Sequence, residues 1–158
     1  MNIERFMSES ESKSEKFKKV EINKSNEKLL SHEKIEVYKT TRIILKETMI
    51  ISSKMGKNFK YTLGQTINFV ALELAENIFL VYKEKNINSK KSIINECLTI
   101  ANRLLINYRL AIDIQQLNKD KYIEIVDYIM NVISQLNLWN HKICSTHLSS
   151  DISQSSES

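Results

Sequence analysis

Proline is missing altogether from the 158 residues, and glycine occurs only as Gly56 and Gly64. Average usage would supply roughly 8 prolines and 11 glycines at this length. A dinucleotide fingerprint needs three glycines, and a phosphate loop needs two at a five-residue offset, whereas these two stand eight apart. No Gly-rich phosphate cradle is therefore expected. A sheet protein of this size would need many turns with positive φ, and the residues that make them are lacking. The chain is predicted to be nearly all helix.

Cysteine is scarce as well. Cys97 and Cys144 are too few for a disulfide framework, and the opening MNIERFMSESES has no apolar core of a signal peptide, so a reducing cytoplasm is the expected location. The longest apolar runs, such as Ile78 to Tyr82, fall far short of the roughly 18 residues needed to span a bilayer. No contact with a membrane is expected.

What is present is enough apolar material, 42% of the residues, for one core of ordinary size. Residues 1–31 are dominated by Ser, Glu, Lys and Asn and are read as a disordered tail, as is the polar stretch 146–158. The folded unit is expected over 32–145. Charge is uneven: the first segment carries 7 basic and 6 acidic residues, the middle 16 and 11, and the last none and 2. The basic surplus sits on the folded part.

Periodicity and breakers divide that part into four helices. The first is expected over about 32–53, capped by Ser31, with Tyr38, Thr41, Leu45 and Thr48 along one line and Val37, Ile44 and Ile51 beside it. Thr62 and Gln65 have the spacing of a capping box and mark the start of the second, whose face is Leu63, Ile67, Val70, Leu74, Ile78 and Val81, ending near Lys85. The third starts after Asn88 or Ser89 and carries Cys97, Ala101, Leu104, Tyr108 and Ala111, with Ile94, Leu98, Leu105 and Ile112 alongside, to about Leu117. Asn118 caps the fourth, with Tyr122, Val126, Ile129, Ile133 and Leu136 on its face and Trp139 or Ile143 beyond. Short connections favour an antiparallel up-down-up-down four-helix bundle. Helices two and three are apolar over more than one stripe, a surplus that suits either an oligomer interface or a wide core face.

Catalytic chemistry is conspicuously thin. No histidine has a Glu three residues before it, which removes the di-iron bundle motif, and His141 and His147 have no arginine near them, which removes helical ribonucleases of the Arg/His type. His141, Cys144 and His147 share soft-ligand chemistry, but the third rotates off the face and no fourth ligand accompanies them. No catalytic residue, metal or cofactor is assigned. Basic residues remain: Lys54, Lys57 and Lys60 in the first connection, Lys90 and Lys91 at the start of helix three, Arg103 and Arg109 along it, the last able to pair with Asp113 four residues on.

The segment Lys54-Met55-Gly56-Lys57-Asn58-Phe59-Lys60-Tyr61-Thr62-Leu63-Gly64 resembles the K-F-P-K-x-x-R-[FY]-T-L-G pattern of the accessory variability determinant proteins of diversity-generating retroelements. The stretch from Arg103 to Ala111 is similar to that family's L-R-x-x-x-R-L-A helix, Leu117 to Tyr122 to its L-x-x-x-x-Y opening of helix four, and Trp139 to its terminal G-G-W. Gly56 stands where the family has Pro, Lys60 where it has Arg, and Asn137-Leu138 where it has Gly-Gly. The sister family of bacterial large-subunit rRNA intervening-sequence proteins carries S-I-P-x-N-I-A-E-G in helix two, whereas this chain has NFVALELAEN from Asn68 to Asn77, without proline.

The resemblance implies a homopentameric barrel of four-helix bundles, itself non-catalytic, that binds the element's reverse transcriptase and structured template RNA during mutagenic cDNA synthesis. It implies that Lys57, Lys60, Arg103 and Arg109 contact RNA or the polymerase, with Lys90 and Lys91 next. Trp139, Tyr61 and Leu63 are read as packing or interface residues. The alternative is an RNA- or ribosome-associated bundle of the intervening-sequence type, without a polymerase partner.

Overall fold

The computed structural model describes residues 35–154, with side chains through 145. Among the described residues there are four long helices and no strand: α1 (Glu36–Lys54), α2 (Gln65–Lys83), α3 (Ile87–Asp113) and α4 (Lys119–Gln154). A single turn, Lys57–Phe59, and a π-helical segment, Lys60–Gly64, lead into α2. Each long helix packs on two others, α1 and α3 both lying against α2 and α4, so the four surround one core. No helix among the described residues is long and apolar enough to cross a membrane.

Ile35 is extended, so α1 begins at Glu36 and not near His32; the expected cap at Ser31 lies outside the described residues. The capping box at Thr62 and Gln65 does not form. The Thr62 hydroxyl instead donates back to the carbonyls of Asn58 and Phe59, because the backbone is already helical there and its N–H groups are engaged. Gly64 is buried inside this segment, and a Cβ on it would lie 3.2 Å from Met55 Sδ and 3.3 Å from Ser52 Cβ. The glycine thus permits close approach between the end of α1 and the run into α2.

α3 starts at Ile87, earlier than the expected Asn88 or Ser89, because Asn86 supplies the cap: its side chain accepts from the Ser89 N–H at 3.0 Å. It also stops earlier than Leu117. Gln115 adopts φ 60°, the Gln116 N–H returns to Ala111 O at 2.8 Å and the Gln115 N–H to Ile112 O at 3.0 Å, a Schellman closure without glycine. Asn118 caps α4 as expected, accepting from the Lys121 N–H at 2.8 Å. α4 then runs to Gln154, through part of the stretch read as a polar tail.

The faces of α2 and α3 are buried as their periodicity implies: Ile67, Val70, Leu74, Ile78 and Val81 face Ile94, Cys97, Ala101, Leu104, Tyr108 and Ala111 in one core. On α4 the buried line is Ile125, Ile129, Val132 and Leu136, while Tyr122, Val126 and Ile133 are only partly covered. Most polar groups inside find partners, the exception among the described residues being the buried Asn140 Oδ1. The Thr41 hydroxyl donates to Val37 O at 2.7 Å, Ser52 and Asn68 bond each other, and the fully buried Tyr108 hydroxyl lies 2.6 Å from that of Thr48.

Candidate nucleic-acid interface

The connection after α1 is tied to the connection after α3. The Gly56 N–H donates to Gln116 Oε1 at 2.8 Å, and the Phe59 and Lys60 N–H groups both return to Gly56 O at 2.9 Å. Close by, Lys121 Nζ sits between Glu47 Oε2 at 2.6 Å and Glu124 Oε2 at 2.8 Å, linking α4 to α1. Its hydrogen bonds to Glu124 and Glu47 raise the pKa of that ammonium. Lys54, Lys57 and Lys60 stand exposed around this knot, and among the described residues none of the three is in an ion pair. Among the described residues these cations have no counter-charge, an arrangement suited to phosphate oxygens.

The two arginines are placed differently. Arg103 reaches across to Glu73 on α2, and Arg109 pairs with Asp113 at 3.3 Å one turn along α3. Both pairs are about half exposed and weakly stabilising, yet each guanidinium already has a carboxylate neighbour that an incoming phosphate would have to displace. Lys90 and Lys91 lie on the first turns of α3, about 35 Å along the helix axis from Asp113. The structure therefore brings Lys57 and Lys60 together, and separates Lys90 and Lys91 from them.

At the Lys90 end there is a cleft of about 360 Å³ lined by Ile35, Val81, Tyr82, Lys90, Trp139, Lys142 and Ile143. Trp139 is half-buried, packed on the core with part of the indole forming the cleft wall. Tyr61 is well exposed at 69%, and Leu63 is packed against the core. Lys142 did not stand out in the sequence reading, although its spacing of three from Trp139 puts both on one face of a helix. Tyr82 and Ile35 reach the same cleft from different elements, which no local pattern announces.

Cys97 is fully buried, and burial, with Glu96 nearby, pushes its thiol up to about 12. It behaves as a small core hydrophobe with no thiolate available at neutral pH. His141 and Cys144 lie on α4, and the side chain of His147 falls outside the described ones; among the described residues no group of three or more metal-ligating side chains is gathered. Among the described residues the surface cations differ in kind: Lys54, Lys57 and Lys60 stand outside the ion pairs, whereas Arg103, Arg109 and Lys121 are engaged with carboxylates. The chain matches no protein-family model, and no curated protein matches it.

Proposed function

We propose that this protein is a non-catalytic accessory component of a diversity-generating retroelement, a cytoplasmic scaffold that binds the reverse transcriptase and its structured template RNA. The observation that carries the reading is the segment 54–64. It resembles the accessory-protein pattern, and it folds into a turn and π segment whose Lys54, Lys57 and Lys60 are exposed and outside any ion pair among the described residues. The basic surplus of the folded part, 16 against 11, supports a polyanionic partner.

In this reading the four helices are an antiparallel up-down-up-down bundle. Support comes from the order of pairings between α1 and α4: Thr40 bonds Asn131 while the later Glu47 bonds the earlier Lys121. The bundle assembles as a homopentameric barrel, for which the exposed Phe69, Leu72 and Leu80 on α2 and Ile106 and Leu110 on α3 offer contact area. Multiplying the lysine knot around a ring concentrates positive potential on one outer surface.

Lys57→Glu combined with Lys60→Glu is the decisive variant, because among the described residues neither side chain is in an ion pair whose loss would disturb the fold. It is expected to weaken RNA binding at least tenfold, reduce the salt dependence of what remains, and leave the melting temperature within a few degrees of the parent. Charge reversal of Arg103 or Arg109 is a poorer probe, since each would face Glu73 or Asp113. Unchanged RNA affinity in the double-lysine variant would sink the assignment of this site. Capture of a cognate reverse transcriptase separates the accessory role from the intervening-sequence type, and a light-scattering mass near one subunit at both low and high salt would remove the barrel.

A further inference from the structure

We infer that Tyr61 is a stacking platform for one unpaired base of the bound RNA, with the phosphates on either side of that base on Lys57 and Lys60. The inference rests on the RNA-binding reading above and narrows it: the lysine knot takes a looped or single-stranded stretch, not a continuous duplex.

Tyr61, read from sequence as a packing or interface residue, is 69% exposed, so most of it lies outside the core. Among the described residues its ring is in no ring contact, and neither Lys57 nor Lys60 is in an ion pair. No Asp or Glu occurs from Thr48 through Leu72, and Glu47, just before that stretch, is engaged by Lys121 at 2.6 Å. Lys57 stands three residues before Lys60 and four before Tyr61, and on a helical backbone such positions are neighbours. The segment that carries them is tied at both ends, by the Gly56 N–H on Gln116 Oε1 and by Gly64 seated close to Met55 and Ser52. A ring presented by an anchored segment costs less to order on binding.

These observations select among occupants. The centre of a protein interface is depleted in lysine, whereas this ring belongs to a segment with three exposed lysines and no carboxylate. An A-form duplex answers the lysines but keeps its bases inside the stack, away from a tyrosine ring. An unpaired base offers the ring a π-face whatever its identity, and brings its own phosphates to the lysines.

The full-length protein is titrated with a dye-labelled oligoadenylate of about ten nucleotides, within the usual site sizes of single-strand binders, and separately with an RNA duplex of equal length. Dye anisotropy gives both affinities. Tyr61→Ala is expected to weaken single-strand binding about tenfold and duplex binding by no more than about twofold, with Tyr61→Phe retaining most of the single-strand affinity. Both variants should melt with the parent, since the side chain is largely outside the core. Lys57→Glu with Lys60→Glu, by contrast, should weaken single strand and duplex alike. An oligoadenylate with one central 5-iodouridine, whose ring cross-links under ultraviolet light to an aromatic side chain stacked on it, is expected to mark the peptide that contains Tyr61.

Single-strand affinity unchanged in Tyr61→Ala, or a cross-link confined to other residues, would overturn the platform while leaving RNA binding intact. Equal losses for single strand and duplex would overturn it too, because the ring would then be shaping the segment and not holding a base. A Tyr61→Ala variant that binds RNA as the parent does, but loses subunits in light scattering or no longer captures the reverse transcriptase, would assign the ring to a protein contact and overturn the platform. No anisotropy change with the oligoadenylate, the duplex or a structured RNA would overturn the RNA reading and the platform together.

Discussion

The two ends of α3 are finished in opposite ways. Beyond Asp113 the chain is knotted by polar bonds: the Schellman closure at Gln115, the Gln116 side chain on the Gly56 N–H, and Lys121 held between Glu47 and Glu124. Around Ile87 and Lys90 the finish is apolar and open, a cleft whose walls come from Ile35, Val81, Tyr82, Trp139 and Ile143. The difference teaches that positive charge alone does not define a binding surface. At the knotted end lysines project from a backbone tied by the Gly56–Gln116 bond and by the returns of Phe59 and Lys60 to Gly56 O. At the open end Lys90 and Lys142 border an apolar hollow.

Alkaline titration should strain the knotted end and the core together, and is expected to have the largest effect. Lys121 is raised above its ordinary 10.5, so its contribution is complete below that pH and is lost as the ammonium deprotonates. Cys97, raised from 9.0 to about 12, acts in the same sense: the unfolded thiol ionises first, and folded stability declines from pH 9 upward. Tyr108, also raised by burial, adds to the decline above pH 10. Urea midpoints should be level below about pH 9 and fall progressively from there to pH 11, and a flat profile over that range would contradict these assignments.

Next in size is Gly64→Val, which drives a branched side chain against Met55 and Ser52 at the knotted end and is expected to cost about 1–3 kcal/mol in urea unfolding. Gln116→Ala should cost about 1 kcal/mol by orphaning the Gly56 N–H. It sharpens the comparison further if amide exchange accelerates at Gly56 and Lys57 while Trp139 emission is unchanged. Exchange that accelerated equally at both ends would show that the two finishes are not independent.

Much of the fold was legible because α2 and α3 each bury residues at strict helical spacing, so Ile67 to Val81 and Ile94 to Ala111 could be placed from periodicity alone. α4 was harder. Tyr122, Val126, Ile129 and Ile133 make one line and Ile125, Ile129, Val132 and Leu136 another, and they share Ile129; packing against α1 and α3 selects the second. The capping-box reading of Thr62 and Gln65 failed because the same residue types serve inside a helix when the hydroxyl bonds back to an earlier carbonyl. Of the candidate site, the exposure of Lys57 and Lys60 followed from their place in a connection. The partner of Arg103 did not, since Glu73 lies on another helix, and the cleft did not, since its walls come from separate elements.

The Thr48–Tyr108 hydroxyl pair has a consequence beyond its own hydrogen bond. Hydrocarbon side chains tolerate sliding, and helices packed only by Leu and Ile can slip past one another by a turn, about 5.4 Å, at modest cost. A slip of α3 along α1 would leave both hydroxyls in the core with nothing to bond, each costing about 1–3 kcal/mol. The pair therefore works as an index pin: it favours one axial register of the bundle, and with it the relative heights of Arg103, Arg109 and the lysines at either end.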